Sequence, residues 1–146
     1  FKFNDWELRG VPLRIEIGPK DVAANTIMTA RRDIPGRDGK TIVSIEGLRE
    51  TISTLLETIQ SALYERAKVF RDSHIFEAAT YPELVEAVQK GWAYAWWCGS
   101  AACEERVKGD TKATTRCIPL EQPGGSGKCA VCGAEAHEKV YFSRAY

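Results

Sequence analysis

The sequence predicts an α/β fold in which mixed β-sheets are flanked by helices. Three observations point there: period-two segments clustered before residue 46, one long apolar stripe of helical spacing after it, and a shorter helix feeding an aromatic strand near residue 92. In "VPLRIEIG", Val11, Leu13, Ile15 and Ile17 alternate with Arg14 and Glu16, and Gly18-Pro19 ends the run, as in a half-buried strand. "TIMTARRD" at 26–33 is a second strand, and the turn residues of "IPGRDGKTIVSI" lead into a third.

From Gly47 to about Arg71, Ile52, Leu55, Leu56, Ile59, Leu63, Ala67 and Phe70 recur at spacings of three and four, which predicts an amphipathic helix. In "TYPE", Thr80 is an N-cap with Glu83 three residues on and Pro82 in the first turn; "LVEAVQKG" continues the helix to Gly91. "WAYAWW" then sets Trp92, Tyr94 and Trp96 on alternate positions, a strand with one aromatic face that is expected to supply core. After Cys103 comes a short polar piece of helical character, then "ATTRCIPL" and "KVYFSRAY" as strands around the loop "EQPGGSGK". The order is strand, strand, strand, helix, helix, strand, helix, strand, strand. A composition shift near residues 72–80 divides the chain into 1–75 and 76–146.

Hydrophobic residues make up 44% and charged residues 27%, a balance that favours a folded core over disorder. Lys plus Arg number 20 and Asp plus Glu 20, so bulk charge points to no nucleic acid, membrane or acidic partner, and any RNA contact must be local. No apolar run reaches the ~18 to 20 residues of a membrane helix, and no leader is evident, so the expectation is a soluble, cytoplasmic protein without membrane attachment. The opening at Phe1, with no initiator Met, suggests the C-terminal part of something longer.

Four of the five cysteines form Cys98-x4-Cys103 and Cys129-x2-Cys132, with 25 residues between the pairs. Each pair can chelate from one turn while the spacer folds the pairs together, and four thiolates favour structural zinc, a closed shell with no position for an activated water. Gly133 permits a tight knuckle after the second pair. Disulfides and a redox Cys-x-x-Cys are the rival readings; the first requires an oxidising compartment and fits an odd total poorly, and the second wants a helix N-terminus where "CAVCG" precedes a strand. Cys117, alone in a strand, is expected to be a buried unligated thiol. His137 could replace one cysteine but reads as a solvated loop residue.

"GGSGK" is not a phosphate loop: Gln122 stands where the first Gly is required, Cys129 replaces the Ser or Thr, and no strand-to-helix context surrounds it. Neither His lies in a pattern with a nucleophile, so the chain itself is expected to be non-catalytic.

"KFNDWELRGVPLRIEIGPKDV", "RRD", "LLETIQSALYERA", "WCGSAACEE", "CIP", "CAVCG" and the terminal "RAY" together resemble the C-terminal part of prolyl-tRNA synthetase, of the archaeal and eukaryotic type with an extra zinc domain after the anticodon-binding domain. The resemblance runs from Phe1 to Tyr146. It implies an anticodon-binding domain over 1–75, its front part and the class II catalytic domain missing, and a zinc-binding domain over 76–146. It implies further that the parent is a homodimeric ligase joining proline to tRNA(Pro) with ATP. Glu16, Lys20, Arg31, Arg32 and Asp33 would then meet the anticodon loop: arginine suits guanine O6 and N7, carboxylates accept from guanine N1 and N2, and proline anticodons share two guanines. The carboxylate of Tyr146 would reach toward the active site. A non-catalytic RNA-binding module with a structural zinc is the alternative, and a purely structural zinc domain a third reading.

Overall fold

The structure, a computed structural model, describes residues 2–145. The chain divides into two compact units, residues 1–68 and 69–146.

In the first unit a helix, α1 (Lys2–Leu8), leads through a turn to strand β1 (Leu13–Glu16); α2 (Pro19–Ala23) then precedes β2 (Thr26–Arg31), and β3 (Lys40–Ser44) precedes the long helix α3 (Leu48–Ser73), whose last turn belongs to the second unit. The three expected strands form an antiparallel sheet in the order β1-β2-β3. The centre strand is the buried one, because it alone is paired on both sides: Ile27 and Thr29 are fully enclosed, and the Thr29 hydroxyl donates to the Thr41 carbonyl at 3.0 Å. On the edge strand β1 forms as expected but burial does not follow the alternation: Ile15 and Ile17 are exposed, whereas Arg14 and Glu16, ion-paired to each other, are the more sheltered. The stripe on α3 is likewise graded; Ile59 is buried, whereas Phe70 is exposed.

In the second unit β4 (Ile75–Ala78) runs into α4 (Tyr81–Lys90) and β5 (Trp92–Trp97), then α5 (Ala101–Thr111), β6 (Ala113–Cys117), a two-residue ladder of β7 (Gly127–Lys128) with β8 (Glu135–Ala136), and β9 (Glu138–Arg144). The main sheet has the order β4-β5-β9-β6; β4 and β5 are parallel, joined through α4, and the other pairs are antiparallel. Thr80 is the N-cap of α4, and the Glu83 carboxylate accepts from the backbone N–H groups of Ala79 and Thr80, which holds that carboxyl below its usual range.

One expectation is met in part and one needs correction. The aromatic face of β5 supplies part of the core, where Trp96 packs against it, but the fully buried residues of the strand are Ala93 and Ala95, enclosed with Leu84, Val88, Val107 and Phe142, while Trp92 is exposed and Tyr94 half-buried. Small residues on the inner face let the helices sit close to the sheet; the outer face stacks Tyr94 on Tyr141 at 4.6 Å between centroids, with Lys139 over Tyr94 and ion-paired to Glu77. Cys117 is exposed, because it ends the edge strand β6 just past a bulge between Thr115 and Cys117.

Candidate metal centre and nucleic-acid interface

Three local structures bring the four paired cysteines together. Cys98 follows the last residue of β5, and Cys103 sits in the first turn of α5, where Ser100 is the N-cap. Cys129 and Cys132 occupy a knuckle closed by bonds from the Gly133 N–H to the Cys129 carbonyl (2.8 Å) and from the Cys129 N–H to the Ala134 carbonyl (2.7 Å). Gly133 takes φ +76°, a conformation that a side chain would strain. A further bond, from the Ala130 N–H to the Trp96 carbonyl at 3.0 Å, ties the knuckle to the end of β5.

The four Sγ atoms lie within 4.8 Å of one another, and Cys98 Sγ is 3.7 Å from the Sγ of both Cys103 and Cys132. A tetrahedral ion with metal–sulfur bonds of ~2.3 Å places its sulfurs roughly 3.8 Å apart, so the donor set fits such an ion. All five cysteines are free thiols, and no pair is bonded as a disulfide. The electrostatics are uneven. Burial opposes ionisation of Cys129, but N–H groups of Cys132, Val131 and Cys98 outweigh it and bring that thiol down to about 7. Burial and the neighbouring thiols push Cys103 far up; at Cys98 the Ser100 N–H and the Cys103 thiol favour the thiolate, yet burial and the thiols of Cys129 and Cys132 leave the balance raised. Four thiolates in one place therefore require a cation to neutralise them. His137 is exposed between β8 and β9, outside the cluster.

The first unit carries the charged residues expected to meet RNA. Arg31 forms a two-point pair with Asp33, Nε to Oδ1 at 3.1 Å and Nη2 to Oδ2 at 2.7 Å, and the Asp33 side chain is only 4% exposed. Those hydrogen bonds, working against burial, hold the Asp33 carboxyl below its usual range. Glu16 accepts from Arg14 at 3.0 Å and Lys40 at 3.2 Å; burial raises its carboxyl, and the two cations more than offset that. Arg32 is exposed, its backbone N–H donating to the Pro12 carbonyl at 3.0 Å. Lys20 is exposed on α2 and makes no ion pair among the described residues. The sheet thus gathers Glu16 with Arg14 and Lys40, and Arg31 with Asp33. Arg14, Arg37, Lys40 and Trp6 escape a reading of the sequence because only strand pairing and the turn after β2 bring them to one place. Tyr146, with its carboxylate, lies outside the described residues.

Comparison with known proteins gives two family matches: residues 81–146 with the prolyl-tRNA synthetase C-terminal domain, and residues 1–55 with the anticodon binding domain. The chain is 52% identical over 146 residues to a proline–tRNA ligase of Chloroflexus aurantiacus and 45% identical over 150 residues to the chloroplastic/mitochondrial enzyme of Arabidopsis thaliana. All of this chain is covered in both cases, against 30% and 28% of the relatives, so the chain spans under a third of their length. The prolyl-tRNA synthetase of Cryptosporidium parvum, solved with halofuginone and AMPPNP, superposes with TM-score 0.87 at 32% identity, covering 99% of this chain and 30% of that one. Along its whole length the chain matches the C-terminal region of prolyl-tRNA synthetases, an anticodon-binding domain followed by that family's C-terminal domain.

Proposed function

We propose that this chain is the anticodon-recognising and zinc-bearing portion of a ligase that attaches proline to tRNA(Pro) through ATP. The observation that carries the reading is the succession, in one chain, of an anticodon-binding match and a prolyl-tRNA synthetase C-terminal match that encloses all four clustered thiols. The division proposed is an anticodon-binding part over residues 1–75 and a zinc-binding part over 76–146. Proline and ATP would be handled by the rest of the ligase; the Cryptosporidium parvum synthetase, solved also with L-proline and AMP, supports that assignment by analogy. Homodimerisation and residence in the cytoplasm belong to the same proposal. Among the described residues no helix is long and apolar enough to cross a membrane.

Cys98, Cys103, Cys129 and Cys132 would hold the zinc. With four sulfur donors the ion has no open position, so its contribution is to the fold. Apparent zinc energies of ~10 to 16 kcal/mol match or exceed the roughly 5 to 15 kcal/mol of a domain's net stability, so the second unit would depend on its metal. Glu16, Lys20, Arg31, Arg32 and Asp33 form the proposed anticodon-facing set, some as direct contacts and some through the ion pairs that hold them. The Tyr146 carboxylate is proposed to reach the active site.

The test is proline-dependent ATP–pyrophosphate exchange by the complete ligase that carries this chain. Exchange stimulated by proline is the expected result. A folded, zinc-loaded protein that exchanges with no amino acid would sink the ligase reading in favour of a non-catalytic RNA-binding module.

A further inference from the structure

The last strand, β9, is not held equally along its length. On its β5 side the pairing stops at Ala93–Phe142, whereas on its β6 side it continues through Thr114–Ser143 to Ala113–Arg144. Ser143 and Arg144 are therefore paired with the edge strand alone, and β6 is the strand that bulges. Arg116 is the extra residue of that bulge: Thr115 pairs with Phe142, Cys117 with Tyr141, and nothing stands opposite Arg116. A bulge re-aims a side chain. Here the Arg116 guanidinium turns along the ladder and donates through Nε to the Ser143 carbonyl at 3.1 Å. Arg116 has no anionic partner among the described residues, so its side chain is engaged by that carbonyl. The bulge is itself pinned from outside the sheet. The Thr115 N–H donates to Glu104 Oε1 at 3.0 Å, and the Thr115 hydroxyl donates to the same oxygen. A carboxylate is the strong kind of acceptor, and Glu104 follows Cys103 in the first turn of α5. The turn that carries one of the four clustered thiols thus fixes where the edge strand bulges and, through it, where Arg116 points.

We propose that Arg116 is a positioning residue for the C-terminal tail: by holding the Ser143 carbonyl it sets the direction in which the chain leaves the sheet after Arg144. The inference rests on the proposal above that the Tyr146 carboxylate reaches the active site, and deepens it by naming the side chain that aims the tail. Tyr146 is three residues beyond Ser143, a reach of roughly 10 Å when extended. A change of direction at Ser143 therefore displaces the carboxylate by several ångströms, and a misplacement of ~1 Å at a reacting centre can cost about a hundredfold in rate. Strand pairing cannot supply the same control, because β9 has lost its β5 neighbour at this point and Ala113 is the last residue of β6 opposite it. Arg116 touches neither substrate nor reacting atoms in this role; it acts through the backbone of Ser143.

The experiment uses the complete, zinc-loaded ligase with Arg116→Met, which keeps an unbranched side chain and removes the donor, in the full chain and in a chain ending at Ala145. In the full chain the aminoacylation kcat should fall about fivefold, the population change that one net hydrogen bond controls, with KM for tRNA unchanged. In the chain lacking Tyr146 the same substitution should cost nothing further, the signature in a double-mutant cycle of a residue that acts through the tail. Amide hydrogen exchange gives a readout independent of activity: residues 143–145 should exchange about fivefold faster in Arg116→Met, while Val140, in the buried middle of β9, keeps its wild-type rate. Arg116→Gln, polar but too short to span the same distance, is carried through the same cycle, so that a folding defect of the Met variant, seen by circular dichroism and zinc content, leaves the cycle readable. If the chain lacking Tyr146 is as active as the full chain, the tail reading fails and this inference with it. If that chain is impaired but the Arg116 variants keep full kcat and wild-type exchange, the tail reading stands and the assignment of Arg116 is overturned. A penalty as large without Tyr146 as with it, or exchange that rises equally at Val140, makes Arg116 a general support of the sheet and overturns the positioning role.

Discussion

Replacing Cys132 by Ser isolates the metal's contribution to the second unit. Cys103 and Cys129 are 7% and 2% exposed and belong to the hydrophobic core, so substituting either would mix lost packing with lost coordination. Cys132 is exposed, and its Sγ stands 3.7 Å from that of Cys98 as a member of the four-thiol set. Serine keeps the shape and removes the thiolate. If ~10 to 16 kcal/mol of apparent zinc energy is shared among four ligands, losing one costs about 3 kcal/mol, roughly a hundredfold in affinity. At fixed free zinc the same amount comes off the stability of the folded unit. A domain of this size melts about 4 to 8 °C lower per kcal/mol, so the melting temperature should fall by on the order of 10 to 20 °C. The assay is near-ultraviolet circular dichroism, which reports the tryptophans of β5, run with metal analysis and with a graded chelator. Acidification should weaken metal binding in the wild type, since protons compete for the same sulfurs: Cys98 and Cys103 enter as thiols and Cys129 regains its proton below about 7. A Cys132→Ser protein with full metal content and an unchanged melt would refute the reasoning, as would a wild-type spectrum untouched by metal removal.

Two further substitutions test the packing. Asp33→Ala leaves Arg31 without its partner in a largely buried place and should lower stability by about 2 to 3 kcal/mol at neutral pH, read as a lower urea midpoint. Since the folded-state carboxyl titrates below its unfolded value near ~3.9, that contribution is fully present above this pH and fades as the pH falls through the folded value; a difference between the two proteins that grows in acid would contradict the assignment. Gly91→Ala places a Cβ 2.3 Å from the His74 carbonyl oxygen, which already accepts from the Trp92 N–H at 2.8 Å. The backbone there must shift, and a loss of about 2 kcal/mol or more is expected; a wild-type denaturation midpoint would show that the α4–β5 junction is looser than described.

The elements that could be read from sequence are those whose signal is local and repeated. The alternation around Ile15, the stripe through Ile59 and the Thr80–Glu83 box each rest on a few neighbouring residues, and all three produce the expected element. α1 and α2 were not foreseen, because seven and five residues are too few for a helical period to show. Nor was β4, four residues between two helices, whose pairing partner is supplied only by β5 across the intervening α4. The aromatic face of β5 foretold the core only in part, Trp96 packing against it and Trp92 standing exposed, for a different reason. Aromatic bulk marks which side is apolar, whereas the side that faces the helices is decided by how closely they can approach, and there alanines win. Pairwise spacing picked out all four clustered thiols, because metal chelation is written into short loops. Charged residues carry no such mark. That Asp33 is engaged by Arg31, or that Arg37 borders the same cavity as Trp6, depends on a turn geometry that composition does not encode.

The central claim, that this chain reads a proline anticodon, is tested most directly by measuring its affinity for tRNA(Pro) against the same tRNA with the two anticodon guanines changed to adenine, at fixed salt. Each lost guanine contact is expected to weaken binding by ~1 to 3 kcal/mol, and Arg31→Ala together with Arg32→Ala should erase most of that preference. Equal affinity for the two RNAs, with the zinc unit folded and loaded, would contradict the account.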